Sequence, residues 1–382
     1  MAKQPSIVLL LALALPFGAA AQGHPAGFFA NCEKERVRFC FERKESPDIA
    51  ECLIHHDKEL SHGCLQGMER FLQFRRQSAS RGGGALSAFG GLNSMGPPIP
   101  LASYDGRLSP GASGSGPGFF ENKANISAPV YKTATDSVAL SLAGGDLHLN
   151  GPPTLNSGLP VPADLYRIEV GAQYFHDLGE RKNWGLRTSV GYAGDKPFQN
   201  GGDTTYSLNL NYGFPGAGNG RWMTFLFYSN NSTIANGIPL PGAAYLYRSD
   251  TFMALFGFPI VALQWTPVFP WAYSLAIFGP TVQVEAARGS IEKFQVYGGY
   301  YFTNLNYLPS QRTVQGDRLT VQEMKVAVGL RTPIFGSFLG ELQAGPSFDR
   351  QIYLGAHLFD RGDGSASIPD DWSVTWSAKY AF

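Results

Sequence analysis

The feature that most constrains the fold is the last eleven residues, 372–382, which read WSVTWSAKYAF. Every second residue from Trp372 to Phe382 is apolar or aromatic, and the residues between them are polar or small. This two-residue period is typical of a β-strand whose two faces meet different surroundings. About 9–11 residues suffice for a tilted strand to cross a membrane. The segment therefore predicts a membrane-crossing strand.

The same alternation recurs along the chain from residue 119 onward. In the run 204–214, for example, Leu208 and Leu210 alternate with Ser207 and Asn209. Charged residues make up 16% of the chain, against about 25% in soluble domains. Counting such runs predicts an all-β transmembrane antiparallel β-barrel of roughly 12–14 strands. A secreted β-sandwich shows similar alternation and is the alternative fold.

Residues 1–21 have the pattern of a secretory signal peptide. Lys3 supplies the positive charge, residues 7–15 form a short apolar core, and 19–21 are three alanines suited to cleavage. We therefore expect the chain to be exported. No later stretch contains the 18 or more uninterrupted apolar residues that predict a transmembrane helix.

All four cysteines of the chain, Cys32, Cys40, Cys52 and Cys64, fall within the segment 22–76. In an exported chain, an even and clustered set of cysteines predicts disulfide bonds. Two bonds allow three pairings, and the nested one, with Cys40–Cys52 inside Cys32–Cys64, suits antiparallel helices. A zinc site is the alternative, but the paired C-x2-4-C spacing typical of zinc sites is absent. We predict a small helical module and neither a metal nor a cofactor.

The cysteine segment resembles the cysteine-rich repeat of the Golgi apparatus glycoprotein family. The resemblance rests on the spacing C-x7-C-x11-C-x11-C, with Phe39 before the second cysteine and Leu53 after the third. Membership would imply a disulfide-stapled helical unit without catalytic activity. The following stretch, 77–118, is rich in Gly, Ser and Pro and predicts a flexible linker before a barrel at 119–382.

The end of the chain resembles the C-terminal assembly signal of bacterial outer-membrane barrels. The matching residues are Phe382, Tyr380 and Trp376. This resemblance implies a bacterial outer-membrane protein whose partners are membrane lipid and the barrel assembly machinery. With an even number of strands, both barrel ends lie in the periplasm, and so does the cysteine-rich module, where it would be free to bind a periplasmic partner.

A second resemblance concerns the barrel region itself. The segments 125–131 (NISAPVY), 165–169 (LYRIE) and 194–198 (GDKPF) resemble an uncharacterised bacterial outer-membrane β-barrel family, over about 119–382. No established activity accompanies that family. The resemblance therefore implies a fold and a location only.

Charged residues on the polar face of the predicted strands are candidates for the barrel lumen. They are Arg167, Glu169, Arg187, Lys325, Glu341 and Lys379. Opposite charges in a narrow barrel either pair and fill the lumen or form a constriction that selects solutes. We favour pairing, because narrow barrels fill with side chains.

No catalytic motif accompanies the barrel histidines His148, His176 and His357. His357 with Ser347 or Ser377 is the best dyad that the sequence offers, and no spacing supports it. We therefore expect no enzyme. A net charge of zero gives no reason to expect a nucleic-acid partner. The expected function is a narrow pore or structural barrel, with a lipid-acting enzyme or a surface adhesin with long binding loops as alternatives.

Deletion of Phe382 tests the proposed assembly signal. We expect the loss of this aromatic residue to reduce insertion of the barrel, measured as folded protein in isolated outer membranes. Replacement of Ala381 by Ser, on the opposite face, is the control and leaves insertion unchanged. Normal insertion without Phe382 would contradict the interpretation.

Overall fold

The computed structural model of the chain describes most of the region from residue 98 onward and part of the cysteine segment. The described residues are 32–40, 52–53, 56, 59–65, 98, 100–111, 118–199, 201–218, 220–232, 235–249, 251–267, 270–291, 293–335, 337–356 and 364–380. The chain divides into two compact units, Met1–Ser78 and Ala79–Phe382. No helix among these described residues is long and apolar enough to cross a membrane.

The N-terminal unit contains helix α1 (Glu33–Phe39). Two disulfides join Cys32 to Cys64 and Cys40 to Cys52, which is the nested pairing favoured above. The cysteines and Leu53 form a small buried core, as expected for a unit too small to be stable by apolar burial alone. The backbone N–H of Ser61 also donates to Glu35, and hydrogen bonding with Ser61 lowers the pKa of this carboxyl.

The second unit is an antiparallel β-barrel. Its strands are β1 (Leu101–Ser109), β2 (Gly118–Lys132), β3 (Asp136–Asn150), β4 (Asp164–Gly179), β5 (Lys182–Gly194), β6 (Thr204–Pro215), β7 (Arg221–Ser229), β8 (Leu240–Arg248), β9 (Phe252–Phe258), β10 (Ile260–Trp265), β11 (Trp271–Phe278), β12 (Thr281–Ser290), β13 (Phe294–Tyr307), β14 (Arg318–Phe335), β15 (Phe338–Gly355), β16 (Ser365–Ile368) and β17 (Asp371–Tyr380). From β1 to β15 each strand pairs with its sequence neighbours, β16 and β17 both pair with β15, and β1 also pairs with β17.

Pairing of β1 with β17 closes the ring. The short strand β16 pairs with β15 just beyond the part of β15 that pairs with β17, so β16 and β17 occupy one place in the ring. The result is a closed barrel of sixteen strands. Closure leaves no free sheet edge, which is the condition for a β-sheet to span lipid. The predicted fold class, a transmembrane barrel with a disulfide-bonded N-terminal module, is confirmed.

The number of strands differs from the predicted 12–14. Strand β1 lies within the Gly-rich stretch 77–118, where its many polar and small residues hide the alternation. Strand β8 contains Pro and Gly, so its sequence resembles a loop. Counted by alternation alone, 274–286 is one run, but it lies in two strands, β11 and β12, joined at 279–280. Two alternating runs, 338–345 and one that begins at 351, belong to the single strand β15.

At the seam between β1 and β17, the backbone of a glycine lies in close contact with an aromatic ring. Gly106 pairs with Trp376, whose indole lies over the glycine and leaves no room for a Cβ atom. The same indole contacts the ring of Phe120 on β2, with centroids 6.1 Å apart. Tyr380 stacks on Phe338 of β15 at 5.2 Å. Phe382 lies outside the described residues.

The alternation predicted for the last strand is confirmed by its burial. On β17, Ser373 and Ser377 are buried, whereas Trp372 and Val374 are exposed on the outer surface. On β6, Leu208 is likewise exposed outward. Apolar side chains thus cover the outside of the sheet, where lipid is the solvent, and polar side chains face the lumen.

The two ends of the barrel differ. At the end where β17 finishes, the links are short turns such as 133–135 and 180–181, and we call this the turn end. At the opposite end, the loop end, several links are long, including 151–163 and 308–317. The wall is also uneven: β14 has 18 residues, whereas β10 has 6.

An apolar cluster, here called the cap, fills part of the lumen at the loop end. It combines lumen-facing strand residues with two residues of the 151–163 loop; its buried members are Phe119, Leu147, Leu149, Leu155, Val161, Leu165, Ala193, Tyr307, Leu319, Val321, Ile352, Leu354, Ala366 and Ile368. The N–H of Leu308, just after β13, donates to Ala193 on β5 at 2.7 Å. Because β5 and β13 lie on opposite sides of the ring, this bond bridges the mouth.

Replacement of Leu147 by Ala tests the cap. Leu147 is fully buried, so we expect a loss of about 2–5 kcal/mol in the free energy of unfolding, from lost burial and the cavity left behind. Leu142 on the same strand is 52% exposed on the outer face, and its replacement by Ala should cost clearly less. Urea unfolding in lipid vesicles, followed by gel mobility, measures both. Equal losses would contradict a packed cap.

Candidate functional site

The lumen is the candidate functional site, because the barrel brings buried ionisable side chains from distant parts of the chain together there. They form two groups at different heights. We call the group near the cap the loop-end ion cluster and the group near the short turns the turn-end ion cluster. Among the described residues, no group of three or more His, Cys, Asp or Glu side chains is arranged to hold a metal ion.

The loop-end ion cluster is a chain of alternating charges. Arg107 contacts Glu121 at 3.0 Å and Glu323 at 2.6 Å, and Arg350 contacts Glu323 at 3.5 Å. Lys123 approaches the other oxygen of Glu121 at 2.5 Å. Four strands, β1, β2, β14 and β15, contribute these side chains. The cluster therefore ties strands on both sides of the β1–β17 seam.

Phe119 joins this cluster to the cap above it. Its ring receives both arginines: the guanidinium carbon of Arg107 lies 4.3 Å from the ring centroid and that of Arg350 lies 4.6 Å away. Both distances are within the range of a cation–π contact. Phe119 is also a buried member of the apolar cap. Movement of the cap would therefore disturb the charges beneath it.

The turn-end ion cluster is built around Arg331 on β14. Its guanidinium forms two bonds with Glu285, one of them 2.8 Å long, and contacts Glu341 at 3.1 Å. Lys379 reaches Glu341 at 3.5 Å. The hydroxyl of Tyr297 donates to Glu341 at 2.5 Å, and the Tyr297 ring lies 3.7 Å from the Arg331 guanidinium. Every charged member thus has an opposite charge as partner.

Charge balance decides what these clusters are able to do. In the loop-end cluster the buried Arg107 and Arg350 balance Glu121 and Glu323, and the exposed Lys123 adds a third cation; the turn-end cluster holds two cations and two anions. A constriction that selects ions by charge presents an excess of one sign. Mutually paired and buried charges instead fix side chains and the register of the strands that carry them. The geometry favours a structural role.

The predicted lumen residues are only partly brought together. Glu341 and Lys379 meet in the turn-end cluster, and the buried Lys325 donates to the Thr375 hydroxyl at 2.8 Å between the two clusters. Arg167 faces the ring of Tyr307 at 5.8 Å and donates to the Asn306 carbonyl. Glu169 and Arg187 are half-buried on the lumen face of β4 and β5.

Several members of the two ion clusters were not among the lumen residues predicted from the sequence. Glu323 and Arg331 share the parity of Lys325 on β14, so alternation alone was sufficient to find them. Arg107 was hidden in the predicted linker. Arg350 follows an irregularity in the β14–β15 pairing at 348–351, where Asp349 adopts a positive φ of 48°. Such a bulge shifts the parity, and it directs Arg350 inward.

A different kind of surface covers the lumen side of β7 to β11. Most of the inward residues there are apolar and form a second cluster, here called the apolar wall: Met223, Phe225, Ala244, Leu255, Ile260 and Ala262, with Leu246, Met253 and Phe278 against them. Polar residues such as Arg221 and Gln264 also face inward on these strands. The alternation therefore fails here, since both faces of these strands are apolar. A water-filled barrel has a polar interior, so this wall is unsuited to line an aqueous channel.

The loops that cross the mouth are held by polar contacts. In the 308–317 loop, Ser310 donates through its backbone and hydroxyl to Asp195, at 2.6 and 2.7 Å. Arg312 of the same loop contacts Asp203 at 2.7 Å. Both aspartates belong to the link between β5 and β6. We call these contacts the latch, because they fasten one loop to another across the opening.

The described histidines do not form a hydrolytic site. His148 contacts Asp164 at 2.6 Å, and His176 contacts Asp136 at 2.7 Å, both on the outward face of the sheet. Neither is recorded beside a serine, threonine or cysteine nucleophile. Ser347 shares its hydroxyl with Ser373 at 2.9 Å. His357 lies outside the described residues, so the dyad proposed for it stays untested.

Comparison with solved structures finds bacterial outer-membrane barrels at very low similarity. A mutant of TodX, a monoaromatic hydrocarbon channel, is 8% identical with a TM-score of 0.34, covering 76% of this chain and 92% of its own. LpxR from Salmonella typhimurium is 9% identical with a TM-score of 0.29, covering 74% and 100%. The NalP translocator domain from Neisseria meningitidis is 10% identical with a TM-score of 0.27, covering 74% and 87%.

These similarities are too low to carry an argument about function. No protein-family model matches the chain, and no curated protein matches it. The resemblance of the cysteine segment to the Golgi glycoprotein repeat therefore stays a prediction. The fold rests on the closed strand pairing and on the apolar exterior, which make the chain a transmembrane β-barrel of the outer-membrane class.

Replacement of Glu323 by Gln tests the structural role of the loop-end ion cluster. Loss of this carboxylate leaves Arg107 and Arg350 short of an anion in a buried site, which should cost about 3–5 kcal/mol in the free energy of unfolding. Glu180 pairs with Lys182 at the turn end, where both are exposed, so its replacement by Gln should cost under about 1 kcal/mol. Urea unfolding compares the two.

Proposed function

We propose that the protein is a narrow outer-membrane channel for small apolar molecules and that its mouth is closed in this conformation. The observation that carries the proposal is the apolar wall of β7 to β11, which faces the lumen. A barrel that served only as a membrane anchor has no need for an apolar surface on the side away from lipid. A channel for ions or sugars would need a polar one.

Closure of the mouth depends on the cap, the latch and the bond between β5 and β13. Barrels of 16–18 strands commonly enclose an aqueous channel, so a sixteen-strand ring needs filling to exclude water. Leu155 and Val161 supply part of that filling from a loop rather than from the wall. Loops move more readily than strands, so we assign the gating motion to the 151–163 loop.

We assign the turn end to the periplasm and the loop end to the cell surface. Short periplasmic turns and long external loops are the usual pattern of bacterial barrels. The links at the two ends of this barrel differ in that sense. This orientation would also put the N-terminal disulfides in the oxidising periplasm, where the module would contact a periplasmic partner.

Two other functions receive less support. A lipid-acting enzyme needs a nucleophile and a base in contact, and the two described barrel histidines, His148 and His176, pair with aspartates instead. An adhesin would use the long loops, but the best-described ones are fastened inward by the cap and the latch. We therefore favour transport over catalysis and adhesion.

Excision of the loop tip tests closure of the mouth. Thr154 and Pro160 are bridged, so 155–159 is replaceable by Gly-Gly without stretching the loop. The wild-type protein should be silent for most of a planar-bilayer recording, and the shortened variant should conduct. Replacing the exposed Asn156 and Ser157 by Ala keeps the cap and should stay silent. A silent shortened variant would favour a purely structural barrel.

Replacement of Phe225 by Asn tests the role of the apolar wall. Phe225 faces the lumen and pairs with Asn211, so an amide there makes the wall polar without changing the outside. We expect uptake of an uncharged aromatic compound by cells carrying the shortened-loop protein to fall severalfold. Asn209→Ser, on the polar part of the lumen, is the control. Unchanged uptake would contradict an apolar route.

A further inference from the structure

The outer surface of the barrel carries a groove that the proposed channel does not use. It measures about 520 Å³ and crosses β10 to β13 on the face that meets the bilayer. The floor of the groove includes two small outward-facing residues that pair with each other, Ala286 on β12 and Gly298 on β13. Trp265, Tyr273 and Tyr300 border it. The lining is almost wholly apolar.

A single arginine lies beside this groove. Arg288 follows Ala286 by two residues on β12, so both side chains point outward, with Arg288 nearer the turn end. Its guanidinium lies 5.5 Å from the centroid of the Trp271 ring, on the paired residue of β11. Among the outward-facing residues described on β9 to β13, Arg288 alone is charged. It is exposed and has no recorded anionic partner.

A lone cation on the lipid face needs a negatively charged partner to offset the cost of leaving water. An arginine on the lipid face costs about 2–4 kcal/mol at the bilayer midplane and much less at the interface. Trp271 marks an interfacial depth, since tryptophan concentrates at the level of the lipid headgroups. A phosphate group at that level supplies the missing negative charge, and guanidinium binds phosphate with two parallel hydrogen bonds.

The short wall brings headgroups toward this arginine. Strands β9, β10 and β11 have 7, 6 and 8 residues. At about 3.3 Å per residue and a tilt near 40°, six residues rise only about 15 Å, whereas the apolar band of a barrel is about 25 Å tall. A bilayer adapts to a short hydrophobic surface by becoming locally thinner. Headgroups therefore lie deeper beside β9 to β11 than elsewhere around the ring.

We propose that the groove and Arg288 form a binding site for one phospholipid of the turn-end leaflet. The phosphate binds Arg288, and an acyl chain lies in the groove over Ala286 and Gly298. The two features are two residues apart on one strand, about 7 Å, so a single lipid reaches both. The positive charge selects a phospholipid over an uncharged lipid, and the groove selects an extended chain over a bulky side chain.

Two variants separate the headgroup contact from the chain contact. Arg288→Gln removes the charge, and Gly298→Leu fills the groove. A Cβ atom at Gly298 would have one neighbour within 4 Å, the Ala327 carbonyl oxygen at 3.8 Å, so the backbone tolerates the larger residue. Gly144 faces outward elsewhere with similar space, 3.9 Å from the Arg167 carbonyl, so Gly144→Leu is the matched control. Arg181→Gln, in an exposed turn, controls for charge.

Native mass spectrometry of the full-length protein, with phosphatidylglycerol and with diacylglycerol as probes, is the test. The wild type should retain phosphatidylglycerol and lose diacylglycerol readily. Arg288→Gln should weaken phosphatidylglycerol binding about tenfold and abolish the preference between the two lipids. Gly298→Leu should weaken binding of both lipids. Gly144→Leu and Arg181→Gln should behave as wild type.

Three results would overturn the proposal. One is retention of phosphatidylglycerol unchanged in both Arg288→Gln and Gly298→Leu. Another is equal loss in the control variants, which would indicate nonspecific annular lipid. The third is a clear preference for lipid A over phosphatidylglycerol, which would assign the site to the other leaflet. If Gly298→Leu fails to fold, Arg288→Gln alone still decides whether the phosphate contact exists.

Discussion

Closure of the sheet between β1 and β17 is the constraint on which the rest of the structure depends. Lipid offers no hydrogen bonds, so every backbone group in the wall needs a partner strand. The seam meets this need with the approach of Trp376 over Gly106 and with the loop-end ion cluster, which ties β1 and β2 to β14 and β15. The paired charges of the loop-end ion cluster thus help to hold the ring closed.

The lumen shows how a wide barrel is filled. Sixteen strands enclose more space than wall side chains usually fill, and this chain adds an apolar cap above two clusters of paired charges. Phe119 belongs to both layers, since it packs in the cap and receives two guanidinium groups on its ring. The rest of the lumen surface has a polar part on β4 to β6 and the apolar wall on β7 to β11, and the wall carries the proposed route for apolar molecules.

The sequence was sufficient for the fold class, because alternation is dictated by two solvents on two faces of each strand. It was insufficient for β1, which lies in a stretch rich in Gly and Pro, and for Arg350, whose direction depends on a bulge at Asp349. The apolar wall was also missed. Strands that are apolar on both faces have no two-residue period, so alternation cannot show which side faces the lumen.

Water access to the lumen tests the central claim, that side chains close the barrel, most directly. Ser189 faces the lumen, buried and hydrogen-bonded to Ser207 at 2.7 Å, and all four native cysteines are in disulfides. A cysteine introduced at this position should react with a small charged thiol reagent, added on both sides of a bilayer, far more slowly than one at the exposed Arg181 of the turn end. Equally fast labelling would mean an open, water-filled lumen and would contradict the account.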